Sequence, residues 1–563
     1  MNMRDQGGEQ ARAVAEADTF DYIVVGAGTA GCVIARRLSE RPNIRVLVIE
    51  AGDVDRNLWV RIPLGIGKLL TERKHLWVAP TEPEPGLHGT SMTLLGGRIW
   101  GGSSSVNGML AVRGHPAKYD EWRAMPGCAG WGYDDVLPYF RRLESTQLGD
   151  DAVRGRTGPV TITEATVDPL GAAFVDSCVS AGHGRARDYN GSGPDGAAPA
   201  QFNIRRGERR SVAASYLHPV IGRANLSVAS RALTERVLFD NRRAVGVQYR
   251  IDNVSKVARA RTGVIVCAGA LRSPQILELS GIGEPALLGE LGIPVVHPLP
   301  GVGRNLQDHL FGRLRFECNA RITINDLLRS RFMEMRELAS YAIRRTGMLS
   351  NPSYTSIAFL RSEPHLSQPD IRVQLAIVSG ARRLSKNLKD GLDPHSGFII
   401  GGYPMYPKSR GEVHIRSTDA NVAPKVVANY LTAPEDAERA VKVLRLLRRI
   451  ADQPALRRFI VREVAPGPDV ESDADLLDYF RRNGETSWHL AGSCRMGAGA
   501  DAVVDNRLRV HGVEHLYVAD ASVFPIMVSS NTHLPTIMLG ERAAELIAEA
   551  HDEHRDPVAA EST

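Results

Sequence analysis

The chain has 563 residues, 43% hydrophobic and 24% charged, an ordinary globular composition with material for two to four domains. Its formal net charge of +5, with no long Lys/Arg block and no interleaved aromatics, argues against a nucleic-acid partner. Six scattered cysteines without a CxxC pair exclude a disulfide framework and a zinc site, and they fit reduced thiols in the cytoplasm.

Residues 1–19 mix charges with alanines and carry no apolar stretch, so no secretory signal is expected there. No apolar run approaches the roughly 18 residues of a spanning helix, which leaves a peripheral membrane contact open.

The first element is a short buried strand, "DYIVV", residues 21–25, running into "GAGTAG" and an amphipathic helix, "CVIARRLSE". A second apolar strand, "RVLVIE", ends at Glu50, 19 residues beyond Gly31. Gly26 allows the tight turn, Gly28 the approach of a pyrophosphate, and Gly31 the packing of helix on strand. The helix N-terminus at Thr29 and Ala30 offers N–H groups and a positive dipole end to phosphates, and Glu50 can accept from a ribose hydroxyl. This predicts dinucleotide binding without choosing between FAD and NAD.

Residues 96–110, "GGRIWGGSSSVNGML", combine two Gly-Gly pairs, a Ser triplet and an Asn. Interleaved Ile99, Trp100, Val106, Met109 and Leu110 speak against a flexible linker and for backbone pressed on something flat or anionic. Turn-like composition marks 188–201 and 401–412. At 264–283 a strand ends in Ala-Gly-Ala, and Ser273-Pro274 predicts an N-cap and first residue of a helix stopped at Gly281. The spacing over 435–453 predicts a surface helix whose arginines form a solvated face. Finally "TSWHLAGSCRMG" and "NTHLPT" set His489 and His533 among Gly, Ser and Thr rather than in apolar runs, a placement suited to chemistry. His115 and His309 read more simply as hydrogen-bonded scaffold residues, and no ligand spacing supports a metal site.

The segments "DYIVVGAGTAG", "GRIWGGSSSVNG", "GALRSPQILELSGIG", "GVGRNLQDH", "WHLAGSCRMG" and "VADASVFP" together resemble the glucose–methanol–choline (GMC) oxidoreductases, choline-dehydrogenase-like bacterial members in particular. The resemblance covers nearly the whole chain. It implies an α/β plus α+β fold: a Rossmann-like FAD-binding domain and a discontinuous substrate-binding domain built on an antiparallel sheet with helices. The expected division is 18–160, 205–312 and 489–550 for the FAD domain, 161–204 and 313–488 for the substrate domain, and flexible tails at 1–17 and 551–563.

Carried over by position, Thr29, Ala30, Glu50 and Ala51 would hold the ADP half of FAD, with Val237 meeting the adenine through its backbone. Arg98, Ser103 and the run Asn107, Gly108, Met109, Leu110 would line the pyrophosphate, ribityl chain and ring. Trp77, Trp488 and Thr536 are expected near the cofactor, and Asp520 and Ala521 near its ribityl–phosphate part. Some family members tether the flavin through a histidine just before the asparagine. That position is Val106 here, so the FAD is expected to be non-covalent.

His489 matches the family's base. His533, seven residues before Gly540, matches the group that holds the substrate oxygen. A histidine titrates near neutrality and suits removal of a hydroxyl proton while hydride leaves the same carbon. The expected activity is oxidation of a small-molecule alcohol to an aldehyde or ketone, with oxygen or a quinone-like carrier as acceptor. Rivals on the same scaffold are a hydroxynitrile-type lyase, a fatty-acid photodecarboxylase and a catalytically silent flavin-binding protein.

Overall fold

The computed structural model describes residues 19–555, apart from 192, 382–386 and 388. The expected tail at 1–17 and residues 556–563 lie outside the described residues.

Two seven-stranded sheets carry the molecule. The first runs in the order Leu226–Ala229, Val46–Ile49, Thr19–Val25, Val254–Val266, Arg243–Ile251, Ala232–Asp240, and Leu516–Val518 also pairs with Val254–Val266. Its first four strands and Leu516–Val518 pair in parallel, whereas the strands from 232 to 266 form an antiparallel meander. The parallel strands are covered on both faces, which is why "VLVI" at 46–49 is apolar at every position instead of alternating. The helix Thr29–Leu38 lies against the long last helix, His533–Arg555. Gly540 makes that crossing possible: a Cβ there would stand 3.0 Å from Val33 Cβ and 3.2 Å from Ala30 Cα.

The second sheet is antiparallel, in the order Ile460–Ala465, Leu310–Cys318, Gly397–Pro404, Ile371–Ala376, Ser356–Leu360, Gly196–Pro199, and Glu485–Thr486 also pairs with Leu310–Cys318. Its two faces follow the period of two. Ile371, Val373 and Leu375 pack into the core beneath the helix Pro434–Ala451, while Arg372, Gln374 and Ala376 face a large cavity. That helix buries Ala440, Val443, Leu444 and Leu447 and leaves Arg445 in an exposed ion pair with Asp473.

Four expectations are corrected. Ser273 is not an N-cap, because the helix begins at Arg272 and the Ser273 hydroxyl is bonded to Asp520 Oδ2 at 2.5 Å. Residues 401–404 belong to a strand, not a turn: Gly401 faces Phe311, whose Cζ would be 2.2 Å from a Cβ there, so the glycine makes room for a ring. Within 188–201, Gly196–Pro199 is an edge strand. The last helix runs through residues 551–555 rather than fraying at 551, with the buried His551 ring 5.8 Å from that of Tyr22.

Candidate active site

A cavity of about 690 Å³ runs between the two sheets. At one end stands the glycine turn. Gly26 has φ +102°, and a Cβ on it would lie 2.6 Å from the Cys267 carbonyl oxygen; one on Gly31 would lie 1.9 Å from the Gly26 oxygen. Only hydrogen fits at either place. Gly28 brings no capping side chain to the helix that follows, so the first-turn N–H groups remain available where Thr29 and Ala30 line the cavity. Glu50 accepts from the N–H groups of Ala27 at 2.8 Å and Gly52 at 2.7 Å, and burial pushes its carboxyl up to about 7.

Along the wall follow Ala51, Trp77, Ser103, Val106 and the run Asn107 to Leu110, then Asp520, Ala521 and Thr536, and at the far end Trp488, His489 and His533. Three expected residues do not line it. Gly31 lies behind the turn as a packing position. Arg98 points away and stacks on Trp77 with Cζ 4.4 Å from the ring centroid. Val237 is set back, its N–H donating to Ser280 Oγ at 2.8 Å, and the wall there is formed by Ala232, Leu233 and Thr234.

The histidine end is built from remote segments. Trp488 holds a left-handed backbone, φ +56°, and its indole donates to the Thr93 carbonyl at 3.0 Å. The His489 N–H donates to Asp308 Oδ1 at 2.7 Å, while Asp308 Oδ2 accepts from Thr486 at 2.5 Å and Tyr430 at 2.6 Å. Burial raises the Asp308 carboxyl to about 6. One side chain thus clamps the segment that carries the imidazole.

The His489 ring is fixed at both nitrogens. Its Nδ1 lies 3.0 Å from His309 Nδ1, and His309 Nε2 lies 2.8 Å from the Met405 carbonyl oxygen. A carbonyl only accepts, so His309 carries its hydrogen on Nε2 and offers a lone pair at Nδ1. His489 therefore donates from Nδ1, which leaves its Nε2 as an acceptor on the cavity side. Asn531 Nδ2 meets that Nε2 at 2.8 Å, and the Asn531 amide is oriented by Ser530, which donates to Oδ1 at 3.0 Å. Burial holds His309 neutral, with a pKa pushed down to about 4.

His533, the first residue of the last helix, lines the same cavity; burial first, then the nearby Arg209 charge, push its pKa down to about 4. Arg209 is itself buried and lowered to about 9 by that burial, bonded to Asn107 Oδ1 at 2.8 Å and to the Val60 carbonyl at 2.8 Å.

Asp308, His309, Asn531, Arg209 and the cavity-lining Arg272 were not among the expected site residues. His309 had been read as scaffold, and its two-sided bonding within the protein shows how it serves as one. The segment "GVGRNLQDH" was the only signal for Asp308 and His309, and nothing local marks their meeting with residue 489. The remaining donor set suits a flavin dinucleotide: an acid and a helix N-terminus at one end, close backbone in the middle, imidazoles at the other.

Residues 20–311 match the N-terminal and 407–540 the C-terminal model of the GMC oxidoreductase family. The chain is 39% identical over 539 residues to an oxygen-dependent choline dehydrogenase of Chromohalobacter salexigens, covering 95% of this chain and 96% of that protein. A protein of the same description from Photobacterium profundum is 38% identical, covering 94% and 93%. Among solved structures, pyridoxine 4-oxidase from Mesorbium loti superposes with a TM-score of 0.85 at 30% identity, covering 94% of this chain and 99% of that one.

Proposed function

We propose that this chain, which belongs to the GMC oxidoreductase family and is an FAD-dependent enzyme acting on CH–OH donors, uses His489 as the base and His533 as the group that holds the substrate oxygen. The observation that carries this reading is the chain of bonds from Met405 through His309 to His489, which keeps the cavity-side Nε2 unprotonated. A substrate hydroxyl entering there takes the place of the Asn531 amide and donates its proton to Nε2. His533, neutral through burial, donates a hydrogen bond to the same oxygen as negative charge grows on it. FAD, when bound, supplies the acceptor for the hydride that leaves the carbinol carbon.

FAD would be held by Thr29, Ala30, Glu50 and Ala51 at one end and by Ser103, Asn107 to Leu110, Asp520 and Ala521 further along. This retains the division into 18–160, 205–312 and 489–550 against 161–204 and 313–488: each sheet draws its strands from those segments, except that Leu310–Cys318 of the second sheet crosses the boundary at 312. Val106 has no nucleophile, so the cofactor is non-covalent, and acid denaturation releases all the yellow colour into solution. Electrons leave to oxygen or a quinone-like carrier. Six free, buried thiols favour a cytoplasmic setting. Among the described residues no helix is long and apolar enough to cross a membrane, and a peripheral contact is compatible with the exposed Phe332, Met335 and Ile343 on one helix.

The test is anaerobic mixing of the yellow protein with aliphatic, aryl, sugar and amino alcohols. Loss of the visible flavin band names the substrate class, and rapid recovery in air marks oxygen as acceptor. A His489→Ala protein that bleaches at the native rate removes the base assignment. The expected loss is about a hundredfold to ten-thousandfold.

A further inference from the structure

Arg372 stands on the cavity face of the strand Ile371–Ala376 and is 3% exposed. Among the described residues its guanidinium makes no hydrogen bond and no ion pair, and Nε is buried without a partner. A buried guanidinium with no acceptor is costly, since each unmet donor bears its full desolvation. Two other charged residues of the cavity wall are engaged. Arg313 is paired with Glu485 at 3.0 Å; Glu337 accepts from the Met348 N–H at 2.8 Å and faces Arg336 at 3.3 Å.

The position of the group is telling. Arg372 Cζ lies 5.5 Å from the Tyr403 ring centroid, and Tyr403 lies 5.7 Å, centroid to centroid, from His489. The guanidinium and the base are two such steps apart, the span of a small molecule. Gln374, two residues on and on the same face, lines the cavity too, and Phe311 and Ile399 supply apolar flanks.

We propose that Arg372 is a substrate-binding residue and that the alcohol oxidised here carries a carboxylate, held by Arg372 while its hydroxyl meets His489. The planar fork of donors matches a carboxylate with two parallel bonds and repels an ammonium group. A quaternary ammonium alcohol of the kind named in the relatives would bring a cation against an unpaired cation. The inference rests on the alcohol-oxidising reading of the site and adds the class of substrate to it.

The experiment uses the FAD-loaded full chain and matched aryl alcohols: para-(hydroxymethyl)benzoate, its methyl ester and its para-trimethylammonium analogue, with choline alongside. The carboxylate is expected to have the highest kcat/KM. Arg372→Met should lower the carboxylate-to-ester ratio roughly tenfold to a hundredfold, and Arg372→Lys should restore part of it. In parallel, para-methylbenzoate, which has no hydroxyl to oxidise, is titrated against the bound flavin's spectrum, and its Kd should weaken by a similar factor in the Met variant. A wild-type preference for the ester or a cation, an equal loss for all substrates in Arg372→Met, or para-methylbenzoate binding indifferent to residue 372 overturns the inference. If no alcohol bleaches the flavin, the oxidation reading fails, and the para-methylbenzoate titration still decides the role of Arg372.

Discussion

His309 and His489 meet nitrogen to nitrogen, Nδ1 to Nδ1 at 3.0 Å, with their rings edge to face at 84°. One hydrogen lies between them, and the Met405 carbonyl behind His309 decides that it belongs to His489. The same His309 ring stacks on Tyr403, centroids 4.4 Å apart, so it is held by packing as well as by bonding. His309 is a positioning residue: it sets the tautomer of His489, the proposed base, without facing the cavity itself.

Replacing His309 with Phe keeps a ring on Tyr403 and removes both nitrogens. His489 then loses the acceptor for its Nδ1 hydrogen, which disfavours its protonated form. Turnover should fall by about tenfold or more, and the acidic limb of the kcat/KM profile should move to lower pH with FAD content unchanged. A fall in turnover with an unmoved limb would mean a packing role only.

The buried His309 also marks the pH dependence of stability. Its pKa is about 4 in the fold against 6.5 unperturbed, so between those values the unfolded chain takes up a proton that the folded one refuses. Its contribution is therefore complete above pH 6.5 and lost as pH falls toward 4. Asp308 and Glu50, both raised by burial, act in the opposite direction. They are common to wild type and His309→Phe, so the comparison isolates the histidine: the variant should lose less Tm than wild type between pH 7 and pH 5.

Glu50→Gln tests the cradle. The carboxylate accepts from two backbone N–H groups, whereas an amide has only one oxygen to offer them. One donor is left facing an NH₂, a cost of about 1–3 kcal/mol. Weaker FAD retention on dilution and a lower Tm of the loaded protein are expected, both measurable by flavin fluorescence.

Gly31→Ala should be far worse, because the new Cβ would stand 1.9 Å from the backbone oxygen of Gly26, and neither backbone can yield without opening the turn. Soluble protein without flavin, or no soluble protein, is the expected outcome. Retention of native FAD content would show that the turn is not the cradle described.

Local pattern made much of this molecule legible. The glycine turn, the apolar strand "VLVI" and Glu50 at its end are short-range features, since backbone clearance and strand burial are written in neighbouring residues. His489 and His533 were visible because of the small, polar residues around them. What the pattern mislocated, it mislocated for tertiary reasons: Ser273 looked like a cap until Asp520 claimed its hydroxyl, and Gly401-Gly402 looked like a turn until Phe311 needed the space.

The sequence alone therefore determined the family and marked the glycine turn and the two histidines that the fold brings to one cavity. Only the tertiary structure decided which nitrogen of His489 donates and which accepts, because Asp308, His309, Met405 and Asn531 reach it, directly or through one another, from segments far apart along the chain. It also decided that, among the described residues, Arg372 has no hydrogen-bond or ion-pair partner. Pairing and desolvation depend on what arrives from elsewhere in the fold, and no local spacing along a strand encodes that.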